Sequence, residues 1–174
     1  MVRMRFESPS EPSLRDKLFE VLKNSRTLAS QDLEALLQCA AHMKDRAIVE
    51  QTAKECGLTL TQFQTNDVLE LYFDIKQGRH DLGYISKGWN DPGFRVGDLV
   101  EVPKANSAVL RNQAYKLLSF CATQGVTLTI KEMSGGVEIH LDSVIYMEGF
   151  NKKVFEQVLH HLNLCVEKAK ELIG

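Results

Sequence analysis

Two thiol–imidazole pairs come nearest, in residue type and spacing, to a chemical device in this chain. Cys39 and His42 stand three positions apart, and His161 and Cys165 four. On helices that spacing puts both groups on one face, so two such helices could offer a Cys2His2 tetrahedron to zinc. Neither pair has the short Cys-x2-Cys knuckle of structural zinc sites, and His42 points away from the apolar stripe Leu33/Leu37/Ala40. The four are therefore read as unlinked helix residues, with Cys39, His42, His161 and Cys165 as the ligand set to check.

His80-Asp81, with Arg79 and Asp74 close in sequence, has the types of a general base with its orienting carboxylate. No Ser or Cys nucleophile sits in an elbow beside it, and a turn between two strands would carry polar residues anyway. Gly83, Gly88, Gly93 and Gly97 recur at steps of about five, but no Gly-Lys-Ser/Thr follows and no helix begins there. They are read as turn glycines, and no cofactor is expected. The segment from Lys87 to Gly97 then reads as a surface loop holding Lys87, Trp89, Phe94 and Arg95. Tryptophan and arginine are enriched in binding hot spots, so this loop is the candidate binding element, the alternative being that Trp89 folds back as a lid on the sheet. Asp91 and Asp98 dilute its positive charge, which argues against nucleic acid as the partner.

These residues need elements to place them. Ser8 to Pro12 ends a flexible tail, and Ser13 can cap a helix bearing Leu14, Leu18, Val21 and Leu22. A second cap at Ser30 opens a segment to Cys56, one helix or two, closed by Gly57. From Asp67 to Ile75 the period changes to two, with Leu69, Leu71, Phe73 and Ile75 on the apolar side. Asp81 to Ser86 returns after a turn, and Asp98 to Val102 makes a third strand stopped by Pro103. Asn106 or Ser107 caps a helix with Leu110, Ala114, Leu117, Leu118 and Cys121 inward, ended by Gly125. A hairpin follows, with Leu128 and Ile130 against Val137, Ile139 and Leu141 on one face. Thr127, Thr129, Glu138 and His140 form its polar face. Asn151 caps a terminal helix whose stripe is Phe155, Val158, Leu159, Leu162, Val166 and Ala169.

The pattern predicts an α+β fold: an antiparallel sheet with amphipathic helices packed on one face, preceded by a helical N-terminal segment. Its expected parts are a tail over 1–12, a helical extension over 13–43 and the α+β domain over 44–174. At 174 residues the chain can bury a core without metal or disulfide. Twenty-one basic against 23 acidic residues leave a net charge of -2, with no global pull toward nucleic acid or anionic lipid. No apolar run approaches the roughly 18 residues of a membrane span, and no secretory signal opens the chain. Cys39, Cys56, Cys121 and Cys165 fall in helical segments without paired spacing. That suits reduced thiols in cytoplasm or an organelle stroma.

The motifs "KECGL", "YFDIKQGRHDLGYIS" and "LRNQAYKLLSFCATQGVTLTIKEMSGGVEIHL" resemble the hypothetical chloroplast reading frame thirty-five family of cyanobacteria and plastids. The likeness runs from about Met43 to Leu141. It departs at "GDLVEVPKANS", where that family carries a tryptophan-rich stretch. The resemblance implies a small adaptor-like protein with a AAA+ ATPase as partner, and carries no established activity. The C-terminal helix, hairpin and helix also look like the type III secretion chaperone fold, whose members bind polypeptides and catalyse nothing.

The expected function is therefore a non-enzymatic protein-binding adaptor, chaperone-like or regulatory module. The alternative is a small enzyme or ligand-binding protein with its site near His80 and Asp81. A homodimer through the N-terminal helices is a further expectation.

Overall fold

The computed structural model describes residues 30–62, 70–88 and 91–173. Contacts divide the chain into two units, Met1–Lys44 and Asp45–Gly174. The described part of the first is the start of α1 (Ser30–Glu55), a single unbroken helix of 26 residues that runs on into the second. One helix therefore occupies the stretch the sequence left open. The expected helix after Ser13 and the tail before it lie outside the described residues.

In the second unit the elements are β1 (Thr59–Gln62), β2 (Leu71–Gln77), β3 (His80–Lys87) and β4 (Gly93–Pro103). Then come α2 (Ser107–Thr123), β5 (Thr127–Met133), β6 (Gly136–Tyr146) and α3 (Lys152–Ile173). The strands form one sheet in the order β1-β2-β3-β4-β6-β5, and every neighbouring pair is antiparallel. The fold is α+β, with amphipathic helices on one face of the sheet.

Local chemistry explains the joints. The Asn151 side chain accepts the Val154 N–H at 3.1 Å, capping α3 as its sequence predicts. At the other end of α2, Gly125 has φ +69. The Gly125 N–H donates to the Ala122 carbonyl and that of Val126 to the Cys121 carbonyl, a Schellman closure that turns the chain straight into β5. Asn106 makes no side-chain cap to α2. The chain enters α2 from a 3-10 turn over Lys104–Asn106 instead, with Ser107 already helical.

The core lies between the helices and one sheet face. Phe155, Leu162, Cys165 and Ala169 of α3 meet Val96, Ile139 and Leu141 of the sheet, all fully buried or nearly so. Complete burial of a Phe or Leu is worth about 1.5–3 kcal/mol, so the α3 stripe is a principal clamp. Leu71, Phe73 and Ile75 point into the core, as their alternation requires.

Two sequence readings are corrected here. β4 begins at Gly93, not Asp98, so 93–97 is strand, and Phe94 is fully buried in the core. Gly83, Gly93 and Gly97 stand inside strands where neighbouring atoms come close, and are not turn glycines. The short edge strand β1 has no counterpart in the sequence reading. Among the described residues no helix is long and apolar enough to cross a membrane.

Candidate protein interface

Register and alternation together define the sheet's second face. Tyr72 pairs with Ser86, Asp74 with Tyr84, Tyr84 with Gly97, and Ser86 with Arg95. Arg95 continues to Val144, Gly97 to Asp142, Leu99 to His140 and Glu101 to Glu138. Thr127 and Thr129 extend the same face across β5 through Asp142 and His140. The buried strand residues and the helices occupy the opposite face. Within the second unit, no described helix covers this one.

A cross-strand strap holds the face together. The Tyr84 hydroxyl on β3 donates to Asp142 Oδ1 on β6 at 2.5 Å, passing over β4 at Gly97. A methyl group at Gly97 would stand 2.7 Å from the Tyr84 hydroxyl and 2.6 Å from Asp142 Oδ1, so glycine is what lets the strap lie flat. Tyr72 stacks on the Tyr84 ring with centroids 5.2 Å apart and planes 15° from parallel.

Burial first, and then the hydrogen bond to Asp142, push the Tyr84 hydroxyl well above the ordinary phenol range. A phenol raised above its unfolded value of about 10 stabilises the fold fully below that pH, and the contribution fades as pH rises through the folded value. Tyr84→Phe should cost about 1.5–3 kcal/mol at neutral pH, the range for hydrogen bonds to charged groups. Urea unfolding should show the gap to wild type narrowing above about pH 10.

Around the strap the face is mixed. Leu99, Val144 and Tyr146 are 40%, 48% and 63% exposed. Arg95 is exposed between them. Toward the Pro103 end, Glu101 and Glu138 lie directly opposite each other, and His140 Nε2 is 3.2 Å from Glu138 Oε2. A shallow concavity of about 530 Å³ opens there, between the end of β4 and the β5–β6 turn.

The residues singled out from the sequence separate. Arg95 is on the open face, with Thr127, Thr129, Glu138 and His140. Phe94 points into the core. Lys87 also turns inward. Its ammonium is 2.9 Å from Asp45 Oδ2 of α1, and the two side chains are only 9% and 13% exposed. Trp89 lies outside the described residues. On either side of it, the Gly88 N–H donates to Asp91 Oδ2 at 2.9 Å, and Gly93 pairs with Tyr146. Lys87 and Arg95 thus sit on opposite faces and form no common basic patch.

His80 and Asp81 stand at the turn end of the β2–β3 hairpin, both exposed, with Asp81 3.1 Å from Lys76 Nζ. The concavity near Glu101 excludes them, as does a second one of about 400 Å³ beside Arg46 and Phe73. His161 Nδ1 is 3.1 Å from the Gln124 carbonyl, and Cys165 hydrogen-bonds to Cys121. The Cys121 thiol beside it, then burial, pushes the Cys165 thiol up from its ordinary range. Cys39 and His42 belong to the first unit. Among the described residues, no group of three or more His, Cys, Asp or Glu side chains is placed to hold a metal.

Sequence reasoning missed Tyr72, Tyr84, Leu99, Asp142, Val144 and Tyr146. The one readable signal was in β6, where alternation continues beyond Leu141 to place Asp142, Val144 and Tyr146 on the side of His140.

No protein-family model and no curated protein matches the chain in sequence. Solved structures do match. An uncharacterised protein from Methanothermobacter thermautotrophicus superposes with a TM-score of 0.61 at 10% identity, over 74% of this chain and 96% of its own. YbjN from E. coli, a proposed transcription regulator, gives a TM-score of 0.49 at 15% identity, over 71% and 89%. The archaeal protein shares the fold; at that identity the likeness is one of fold alone.

Proposed function

We propose that this chain is a non-enzymatic protein-binding module, an adaptor, chaperone-like or regulatory protein, that takes its partner on the open face of the sheet. The observation that carries the reading is the exposure of Leu99, Val144 and Tyr146 around Arg95 on a face that no described helix of the second unit covers. Apolar groups rimmed by polar ones mark interaction surfaces, and tyrosine and arginine are the residues that most often anchor them. The Tyr84–Asp142 strap supports it further, because a face held rigid before binding loses less entropy when a partner arrives. A catalytic reading needs polar groups converging in a concavity, which the exposed turn at His80 and Asp81 does not provide. A AAA+ ATPase, the partner implied by the family resemblance, is the first to try.

The test is affinity capture from lysate of the source cells, comparing wild type with Val144→Asp and Trp89→Ala, and with Lys153→Asp on the exposed start of α3 as control. The expected result is one defined protein held by wild type and the control and lost with Val144→Asp. Equal retention by wild type and Val144→Asp, or nothing specific on either, counts against the open face.

A further inference from the structure

β5 is an outer edge of the sheet. It pairs with β6 on one side and with nothing described on the other. Its outward N–H and C=O groups are a template for another strand. The helix beside it adds an apolar strip. Arg111 of α2 is 2.9 Å from Glu132 of β5, which places the α2 stripe Arg111, Tyr115 and Leu118 along that edge, one residue on from the core stripe Leu110, Ala114, Leu117. Because α2 and β5 run antiparallel through the Gly125 closure, Tyr115 and Leu118 come level with Ile130 and Leu128. Tyr115, Leu118 and Ile130 are 80%, 49% and 39% exposed.

We infer that this edge is a homodimer interface, with β5 pairing antiparallel to β5 of a second copy about a two-fold axis at Ile130. Like charges stay apart in that register. Ile130 meets its own twin, Leu128 meets Glu132, and Thr129 meets Lys131, so no charge faces its like. Axes at Lys131 or Glu132 would set identical charges against each other, which is destabilising across a ladder. The two-fold must be perpendicular to the sheet for antiparallel pairing. It therefore carries the α2 strips on the helix side toward one another, and a strand-only contact gains a helical apolar layer. An isologous contact of this kind closes on itself, so it yields dimers and not fibres. It also joins two six-stranded sheets into one continuous open face. The inference concerns a different surface from the partner site, so either reading can fail alone.

Sedimentation equilibrium of the full chain is expected to give twice the 19.6 kDa of one chain. Ile130→Lys sets two ammonium groups face to face on the axis, and should weaken self-association by about a hundredfold. Tyr115→Glu, at a position too exposed to threaten folding, should weaken it too. Ile130→Cys should form a 130–130 disulfide with oxidised glutathione, which accepts the two electrons and two protons, since directly opposed strand residues sit within disulfide reach. Thr129→Cys should not, because it lies opposite position 131. A single-chain mass at the concentrations used for cross-linking would overturn the inference. So would a two-chain mass that survives both Ile130→Lys and Tyr115→Glu with no 130–130 disulfide.

Discussion

Gly83→Ala is expected to lower the stability of this protein by about 3–5 kcal/mol, near the upper end for a point substitution. Two separate causes add at this position. Gly83 has φ +104, a conformation L side chains rarely adopt. A Cβ there would stand 2.2 Å from the carbonyl oxygen of Gly97, a backbone atom that cannot swing aside. Relief requires β3 to part from β4, and only three residue pairs join them, Tyr84–Gly97, Ile85–Val96 and Ser86–Arg95. The Tyr84 strap starts at the next residue and would shift with it. Gly78→Ala separates the two causes: its φ is +62, but nothing stands within 4 Å of the added carbon. That variant should lose only the left-handed penalty of about 1–2 kcal/mol. Thermal unfolding of both checks the expectation. For a domain of this size each kcal/mol moves Tm by roughly 2–4 °C, so Gly83→Ala should melt about 10 °C below wild type and Gly78→Ala only a few degrees below.

The second large effect lies at Asp45 and Lys87. Asp45→Ala leaves the Lys87 ammonium buried beside α1 without its carboxylate, and should cost about 3–5 kcal/mol, the range for breaking a buried pair from one side. Replacing both, Asp45→Leu with Lys87→Met, removes the unpaired charge and should recover most of that loss. Denaturant unfolding of Asp45→Leu alone, Lys87→Met alone and the double gives a mutant cycle, and the strong coupling it should show is the signature of direct contact. Additive losses would mean that the pair does not hold α1 to β3.

The same two positions show which parts of the fold were legible in the sequence. The α3 stripe from Phe155 to Ala169 and the alternation of Leu128 and Ile130 against Val137, Ile139 and Leu141 are local periodicities, and a helix or hairpin expresses them directly. The start of β4 was illegible because Pro92, Gly93 and Gly97 carry the composition of a loop. Their reason for being small is long-range: Gly93 makes room for the backbone of β6, and Gly97 for Tyr84 and Asp142. Lys87 read as a surface cation because its partner lies 42 positions earlier, on a helix no local pattern connects to it. β1 was missed because Thr59–Gln62 is too short for alternation to register.

The site was legible to the same degree. Thr127, Thr129, Glu138 and His140 were placed on a polar face by period-two spacing, and they are on the open face. The Tyr72–Tyr84–Asp142 strap joins residues up to 70 positions apart through a strand order that only the folded sheet supplies. Arg95 was chosen from residue type in a presumed loop. It reaches the open face because β4 starts five residues earlier than the sequence indicated, and the same shift carries Phe94 inward.

The most direct test of the open face as the binding surface is a methyl NMR titration of the full chain with its captured partner. The account predicts that the methyl signals of Leu99 and Val144 shift or broaden first, while those of Leu162 and Ile139 in the core stay where they are. Perturbation confined to methyls of α2 and α3, with Leu99 and Val144 unmoved at saturation, would place the partner on the helical side and contradict it.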